Sequence, residues 1–433
     1  MAFNEAYYPD VHLNLNVREL SQSATLAINE RCAQLRHEGR EVFKLGLGQS
    51  PFPVAMPVIE ELKANAHQKD YLPVKGLRQL RDAVANYHRR QEGVDYSGED
   101  VLIGPGSKEL MFLVQLVYYG DLVIPTPSWV SYAPQAMIIG RHIRWVSTRA
   151  EDGWRLTPAG LDALCRKDPK RPRIVILNYP NNPSGMTFAL DELEALAEVA
   201  RHYRVILLSD EIYGEMHFEG QHASIARFYP EGTIISAGLS KWCGAGGWRL
   251  GTFTFPHNLR WLQDAMSVVA SETFTSTSAP IQHAAVRAYE GGIEIERYLC
   301  NSRRVLKRLG HEVATRLQRA GVQVDKPQGG FYVFPDFAPF GEAFSRIGIQ
   351  SSAQFCERVL EETGVAMLPG SEFGRPADEF TARMAFVDFD GGRALVSAET
   401  VALDVELPDD FLDQHCGAVL TAIDRLCNWV RAL

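Results

Sequence analysis

Four short apolar runs, rich in β-branched residues, decide what this chain can fold into. They are Val101-Leu102-Ile103, Leu122-Val123-Ile124, Ile174-Val175-Ile176-Leu177 and Val205-Ile206-Leu207-Leu208. None alternates apolar with polar residues, so each reads as a strand buried on both faces. Helical patterns lie between them, one opened by a capping Ser107 and reaching about residue 119, another over residues 190–202. Strands of this kind alternating with helices predict a mostly parallel sheet with helices on both faces, an α/β fold. Ligands in that architecture bind beyond the carboxyl ends of the strands, so the residues just after each run are the ones to inspect.

The pattern changes near residue 300. A long helix is predicted over residues 293–319, then a Gly329-Gly330 turn, Phe331-Tyr332-Val333-Phe334, a helix over 352–362, a strand over 383–387 and a closing helix over 411–432. This α+β order predicts a second, smaller domain. Residues 391–409 are acidic and aperiodic and read as an added loop. At the other end, residues 1–22 read as an irregular arm and 23–38 as a helix. A short strand from Phe43 runs into the Gly46-Leu47-Gly48 turn. Helices over 57–66 and 77–90 follow. The 433 residues carry a net charge of −9, which excludes a general attraction to nucleic acid or an anionic membrane. Any anion site therefore has to be built locally. Seven scattered cysteines without metal-ligand spacing favour a reducing compartment. With no signal pattern and no long apolar stretch, a cytoplasmic enzyme is expected.

One stretch concentrates chemistry: Gly238-Leu239-Ser240-Lys241-Trp242-Cys243-Gly244-Ala245-Gly246-Gly247-Trp248-Arg249-Leu250-Gly251. Strand-like flanks hold it on a scaffold, and its glycines let a bulky ligand lie against the backbone. A lysine desolvated in such a pocket becomes a nucleophilic amine that forms Schiff bases. Arg249, eight positions later, offers a planar charged fork to a phosphate. Schiff-base lysine plus phosphate clamp is the chemistry of pyridoxal phosphate. Asp210 follows the 205–208 run, where its carboxylate would meet the ligand crevice. A carboxylate against the pyridine nitrogen keeps that nitrogen protonated, and Tyr213 is placed to donate to the ring oxygen. Gly104-Pro105-Gly106-Ser107-Lys108-Glu109 opens a helix, whose free N–H groups suit an anion. Glu109 stands where a dinucleotide fingerprint needs its last glycine, which argues against NAD. Arg383 lies inside an apolar strand and needs a partner there, such as a carboxylate.

The 238–251 stretch resembles the lysine signature of the class I, fold type I, pyridoxal-phosphate-dependent aminotransferases, and the pattern is nearest to bacterial aspartate aminotransferases. Gly238 departs from it, since many relatives have serine there. The resemblance implies a large cofactor-binding domain over residues 56–300. The small domain would combine 1–55 with 301–433. It implies Lys241 as the Schiff-base lysine, with Asp210 and Tyr213 beside it in catalysis. The cofactor contacts would be Gly106, Ser107, Lys108, Trp129 (stacked on the ring), Asn182, Ser240 and Arg249. Tyr71, in Tyr71-Leu72-Pro73-Val74-Lys75-Gly76, would reach the phosphate of a neighbouring chain. Substrate contacts would come from Gly48, Trp129, Asn182, Lys108 and Arg383, the last for the α-carboxylate. Ser184 replaces the usual threonine of the Asn-Pro-Thr-Gly element. Lys108 and Ser23-Ala24-Thr25 resemble features that read a distal carboxylate in some bacterial aspartate aminotransferases.

The expectation is a homodimer with shared active sites. It moves an amino group between an L-amino acid, aspartate or glutamate, and a 2-oxo acid such as 2-oxoglutarate. A lyase or synthase of the same fold would share every cofactor residue, and aromatic or aliphatic donors are a further alternative. A cofactor-binding regulator ranks low, because the chain carries no basic DNA-binding extension.

Overall fold

The structure is a computed structural model that describes residues 12–18, 20 and 24–433. Its strands are β1 (Phe43–Lys44), β2 (Val101–Gly104), β3 (Asp121–Thr126), β4 (Ile143–Ser147), β5 (Arg173–Asn178), β6 (Ile206–Asp210), β7 (Thr233–Gly238), β8 (Gly251–Thr254), β9 (Tyr332–Val333), β10 (Val365–Ala366), β11 (Leu368–Pro369) and β12 (Ala382–Ala385). Seven form one sheet in the order β2-β8-β7-β6-β5-β3-β4. All run the same way except β8, which is antiparallel to both β2 and β7. The mostly parallel sheet read from the apolar runs is therefore present, with one reversed strand.

Alternation along each strand divides its side chains between two cores. Leu122, Ile124, Ile174, Ile176, Leu208 and Ile234 join Met111, Leu262 and Met266 of the helices Ser107–Val117 and Arg260–Glu272. Val123, Val175, Leu177 and Leu207 join Leu161, Leu193 and Leu196 of the helices Pro158–Arg166 and Leu190–His202 on the other face. Each such side chain contributes about 1.5–3 kcal/mol on burial, which is why both faces must be covered. Strand β4 was not anticipated. It is an edge strand with Arg144, Trp145 and Ser147 exposed, so it lacks the doubly buried signature.

Two small sheets lie outside the large one. β1 pairs in parallel with β10, and β11-β12-β9 form an antiparallel sheet. The helix Ala24–His37 buries Cys32 and Leu35 against Val42, Leu360 and Ala366. The long helix Ile293–Arg319 has the bounds expected of it.

Three expectations need correction. Ser107 does not cap its helix. Gly106, at φ 91, holds the cap position, and no side chain caps the end, so among the described residues the Ser107 and Lys108 N–H groups have no acceptor, while the Glu109 N–H donates to the Gly106 carbonyl at 3.1 Å. Residues 391–409 are not one loop. Gly391–Glu399 is a helix capped by Asp390, which accepts from the Arg393 N–H at 3.0 Å, and it buries Ala394, Leu395 and Ala398. Those small side chains, after two glycines, give too faint a periodicity to read. The closing helix is two helices, Phe411–His415 and Gly417–Arg431, broken at Cys416.

The reversed strand positions the site. β7 ends at Gly238 and β8 starts at Gly251 directly beside it, so the stretch between them is a loop at the carboxyl edge of the sheet. Lys241 and Arg249 are thereby returned to the edge where β2, β5 and β6 end. Gly104 of β2 pairs with Gly251, and Asn178 of β5 with Asp210 of β6.

Candidate active site

At that edge a cavity of about 530 Å³ is lined by Gly48, Ser107, Lys108, Trp129, Asn182, Asp210, Tyr213, Ser240, Lys241, Arg249 and Arg383. Residues from across the chain thus meet in one place. Tyr71 does not line it; its side chain is 90% exposed on the same chain. Gly106 lies just outside, under Arg249. Ser23, and the side chain of Thr25, lie outside the described residues, while the adjacent Leu26 lines the cavity.

Lys241 follows β7 by three positions, and its Nζ donates to the Gly48 carbonyl at 2.8 Å. The rings of Tyr213 and Phe331 lie 5.6 Å from the amine. Burial holds the amine below the usual lysine range, Arg383 and Arg249 push the same way, and Tyr332 opposes them. That is the environment a nucleophilic lysine needs.

Asp210 closes β6. Its Oδ2 accepts from the Tyr132 hydroxyl at 2.5 Å and its Oδ1 from Ser236 at 3.4 Å. Burial nevertheless pushes the carboxyl up to about 6, against the hydrogen bonds from Tyr132, the Ile212 N–H and Ser236. Sequence reasoning missed Tyr132 as a partner. It stands three residues after Trp129, and their rings meet edge to face at 5.2 Å. That one-turn spacing was the available signal.

The Asn178 side chain ties β5 to β6 by donating to the Asp210 carbonyl at 2.8 Å, and its Oδ1 accepts from the Asn182 N–H at 2.7 Å. Asn182 in turn accepts from Arg383 Nη1 at 3.2 Å. Arg383 is 2% exposed, and its Nε has no partner. The Tyr332 and Phe373 rings lie 4.7 and 5.1 Å from the guanidinium.

Around Ser107 the backbone is stripped of side chains. A Cβ on Gly251 would stand 2.0 Å from the Ser107 nitrogen, and one on Gly106 would stand 2.2 Å from Arg249 Nη2. Glycines are required there so that the helix end and the guanidinium can share one concavity. Arg249 is held in the left-handed region, φ 54, and donates to the Gly246 carbonyl at 2.9 Å. Lys108 reaches back over Trp129, its Nζ 5.6 Å from the ring, and burial followed by Arg249 lowers its proton affinity.

The charges decide what fits. Lys108, Lys241, Arg249 and Arg383 bring four cations and Asp210 one anion to a single cavity, and no ion pair joins any of them among the described residues. An unpaired charge taken out of water costs several kcal/mol. Pyridoxal phosphate with an amino acid would supply what is lacking: a phosphate for Ser107 and Arg249, a ring nitrogen cation for Asp210, a carbonyl carbon for Lys241 and a carboxylate for Arg383. The residues therefore fit that cofactor.

Comparison with known proteins finds relatives along most of the chain. The family described as Aminotransferase class I and II matches residues 40–386. An aspartate aminotransferase of Geobacillus stearothermophilus is 34% identical over 369 residues, covering 83% of this chain and 91% of its own. The aspartate/prephenate aminotransferase of Thermus thermophilus is 30% identical over 366 residues, covering 83% and 91%. Among solved structures, the Thermus thermophilus aspartate aminotransferase with maleate superposes at a TM-score of 0.81, with 26% identity, over 97% of this chain and 100% of its own.

Proposed function

The chain belongs to the class I and II aminotransferases, and on that premise we propose that it transfers amino groups between aspartate or glutamate and a 2-oxo acid such as 2-oxoglutarate. It is a pyridoxal-phosphate-dependent transaminase. Bound cofactor supplies an electron sink for the substrate carbon that loses its proton. Lys241 holds the cofactor and then moves that proton as base and acid. Asp210 keeps the ring nitrogen charged, Tyr213 donates to the ring oxygen, and Trp129 stacks on the ring beside Asn182. Gly106, Ser107, Ser240 and Arg249 hold the phosphate. Arg383 takes the α-carboxylate, with Gly48 leaving room for the substrate.

The observation that carries the substrate class is Lys108. It is a cation at the cavity wall that no carboxylate among the described residues neutralises, in a protein of net charge −9. It stands in the first turn of a helix, where the dipole disfavours it, so a distal carboxylate is the partner it lacks. Maleate, held in the Thermus structure, is a dicarboxylate.

We place the working unit as a homodimer with shared sites, Tyr71 reaching the phosphate of the partner subunit. An exposed aromatic with no role in its own cavity supports that reading. The separation of the large sheet from the two small ones supports the domain division at 56–300. Seven unpaired cysteines support the cytoplasm, and among the described residues no helix is long and apolar enough to cross a membrane.

The test is transfer from a panel of donors to 2-oxoglutarate. Aspartate and glutamate should lead. Lys108→Ala should lower their kcat/KM by about ten- to hundredfold, the worth of one charge-assisted hydrogen bond, with aromatic and aliphatic donors nearly untouched. An equal fall for every donor would move Lys108 to the phosphate. A wild type that favours an aromatic or aliphatic donor would refute the dicarboxylate assignment.

A further inference from the structure

We infer that Tyr332 is a positioning residue for the reaction, its hydroxyl fixing the direction in which Tyr213 offers its proton. The inference rests on the cofactor reading above.

Tyr332 opens β9 opposite Ala385 of β12 and is 2% exposed. Its hydroxyl lies 3.0 Å from that of Tyr213, and among the described residues neither phenol makes another hydrogen bond. Its place is tightly specified. A Cβ on Gly48 would stand 1.7 Å from the Tyr332 oxygen, so position 48 has to lack a side chain for the hydroxyl to sit there. The Gly48 carbonyl is also the acceptor for Lys241. The Tyr332 ring lies under the Arg383 guanidinium. One side chain thus touches three parts of the site: the proton donor, the strand turn that holds the lysine amine, and the carboxylate arginine.

Two phenols joined by one hydrogen bond have two protons, and the bond uses one of them. Were Tyr213 the donor, its proton would be spent on Tyr332 and none would remain for the cofactor's ring oxygen. With Tyr332 as donor, Tyr213 keeps its proton for the cavity. The Arg383 guanidinium, 4.7 Å over the Tyr332 ring, selects the second sense, because the Tyr332 O–H dipole is favoured pointing away from it. Accepting that bond also polarises the Tyr213 O–H and strengthens it as a donor. A stronger donor at the ring oxygen lowers the proton affinity of the nitrogen that joins cofactor and Lys241. Tyr332 therefore tunes that nitrogen through Tyr213, without touching it.

Tyr332→Phe keeps the ring under Arg383 and removes only the hydroxyl. The readout is the pH titration of the visible absorbance of the purified, cofactor-loaded protein, with Tyr213→Phe and the double variant alongside. Tyr332→Phe should raise the midpoint by about half to one pH unit, the worth of one hydrogen bond. Tyr213→Phe should shift it at least as far, and the double variant no further than Tyr213→Phe alone. KM for the amino donor should change by less than about twofold, because Arg383 keeps its aromatic support. A wild-type midpoint in Tyr332→Phe, or two shifts that add in full, would overturn the inference. So would loss of cofactor binding in Tyr332→Phe, which would make the hydroxyl structural. A wild type without any visible band would instead refute the cofactor reading beneath it.

Discussion

Asp210 accepts hydrogen bonds from Tyr132, Ser236 and the Ile212 N–H, yet burial still pushes its carboxyl up to about 6 from an ordinary 3.8. The folded, cofactor-free protein therefore binds this proton more tightly than the unfolded chain does. The stability this group contributes is complete below about pH 3.8 and is lost as pH rises through about 6, a span worth about 3 kcal/mol. Asp210→Asn has no such loss. Without cofactor it should match wild type near pH 4 and melt higher above pH 6, which paired thermal melts across that range would show. Melting curves that stay parallel would mean the carboxyl is solvated in the empty site. Adding pyridoxal phosphate should close the gap from the other side, because on the proposed assignment its ring cation would be the partner the wild-type carboxylate lacks.

The β7–β8 turn and the helix Ser107–Val117 meet at two glycines, Gly251 against the backbone of Gly106 and Ser107 and Gly106 against the Arg249 guanidinium. Gly106 sits at φ 91, and a Cβ on it would collide with Arg249. Gly106→Ala should therefore displace the guanidinium and strain the backbone, at about 1–3 kcal/mol. Since both effects fall on the proposed phosphate cradle, cofactor affinity should drop at least about tenfold, while the fold, whose buried apolar cores do not include Gly106 or Arg249, persists. Equilibrium dialysis against pyridoxal phosphate, with circular dichroism as the control, measures both. An alanine variant with wild-type affinity would show that the arginine has room to move. At this scale much was legible beforehand. The doubly buried runs marked β2, β3, β5 and β6, because burial on both faces leaves a composition that needs no tertiary knowledge. The direction of β8 was not legible: strand direction depends on which neighbour accepts its hydrogen bonds, and Gly251–Thr254 reads the same either way.

For the whole molecule, the proposed sharing of sites makes a sharp demand. Lys241→Ala and Tyr71→Ala should each be nearly inactive. Mixed, unfolded and refolded together, they should form hybrid dimers in which one site has both its lysine and the partner's tyrosine. Random pairing then restores about a quarter of the wild-type sites. No recovery on mixing would confine each site to one chain and leave the exposure of Tyr71 unexplained. The charge distribution works at the same scale. A chain of net charge −9 keeps four cations facing one cavity, so an anionic cofactor and substrate find there a field that the rest of the surface opposes.

Local chemistry was determined by sequence alone. A lysine among glycines, an arginine eight positions on, and a carboxylate at the end of a buried run each carry their meaning in residue type and spacing, because those depend on bonds along the chain. Tertiary structure alone decided the partners. Tyr132 reaches Asp210 across 78 positions, Arg383 reaches Asn182 across 201, and Tyr332 meets Tyr213 across 119. The missing counter-charges likewise became visible only once the chain had folded and, among the described residues, no acidic side chain had formed an ion pair with Lys241 or Arg383. Contacts between distant residues follow from how sheets and helices pack, and packing is set by the whole set of buried faces at once.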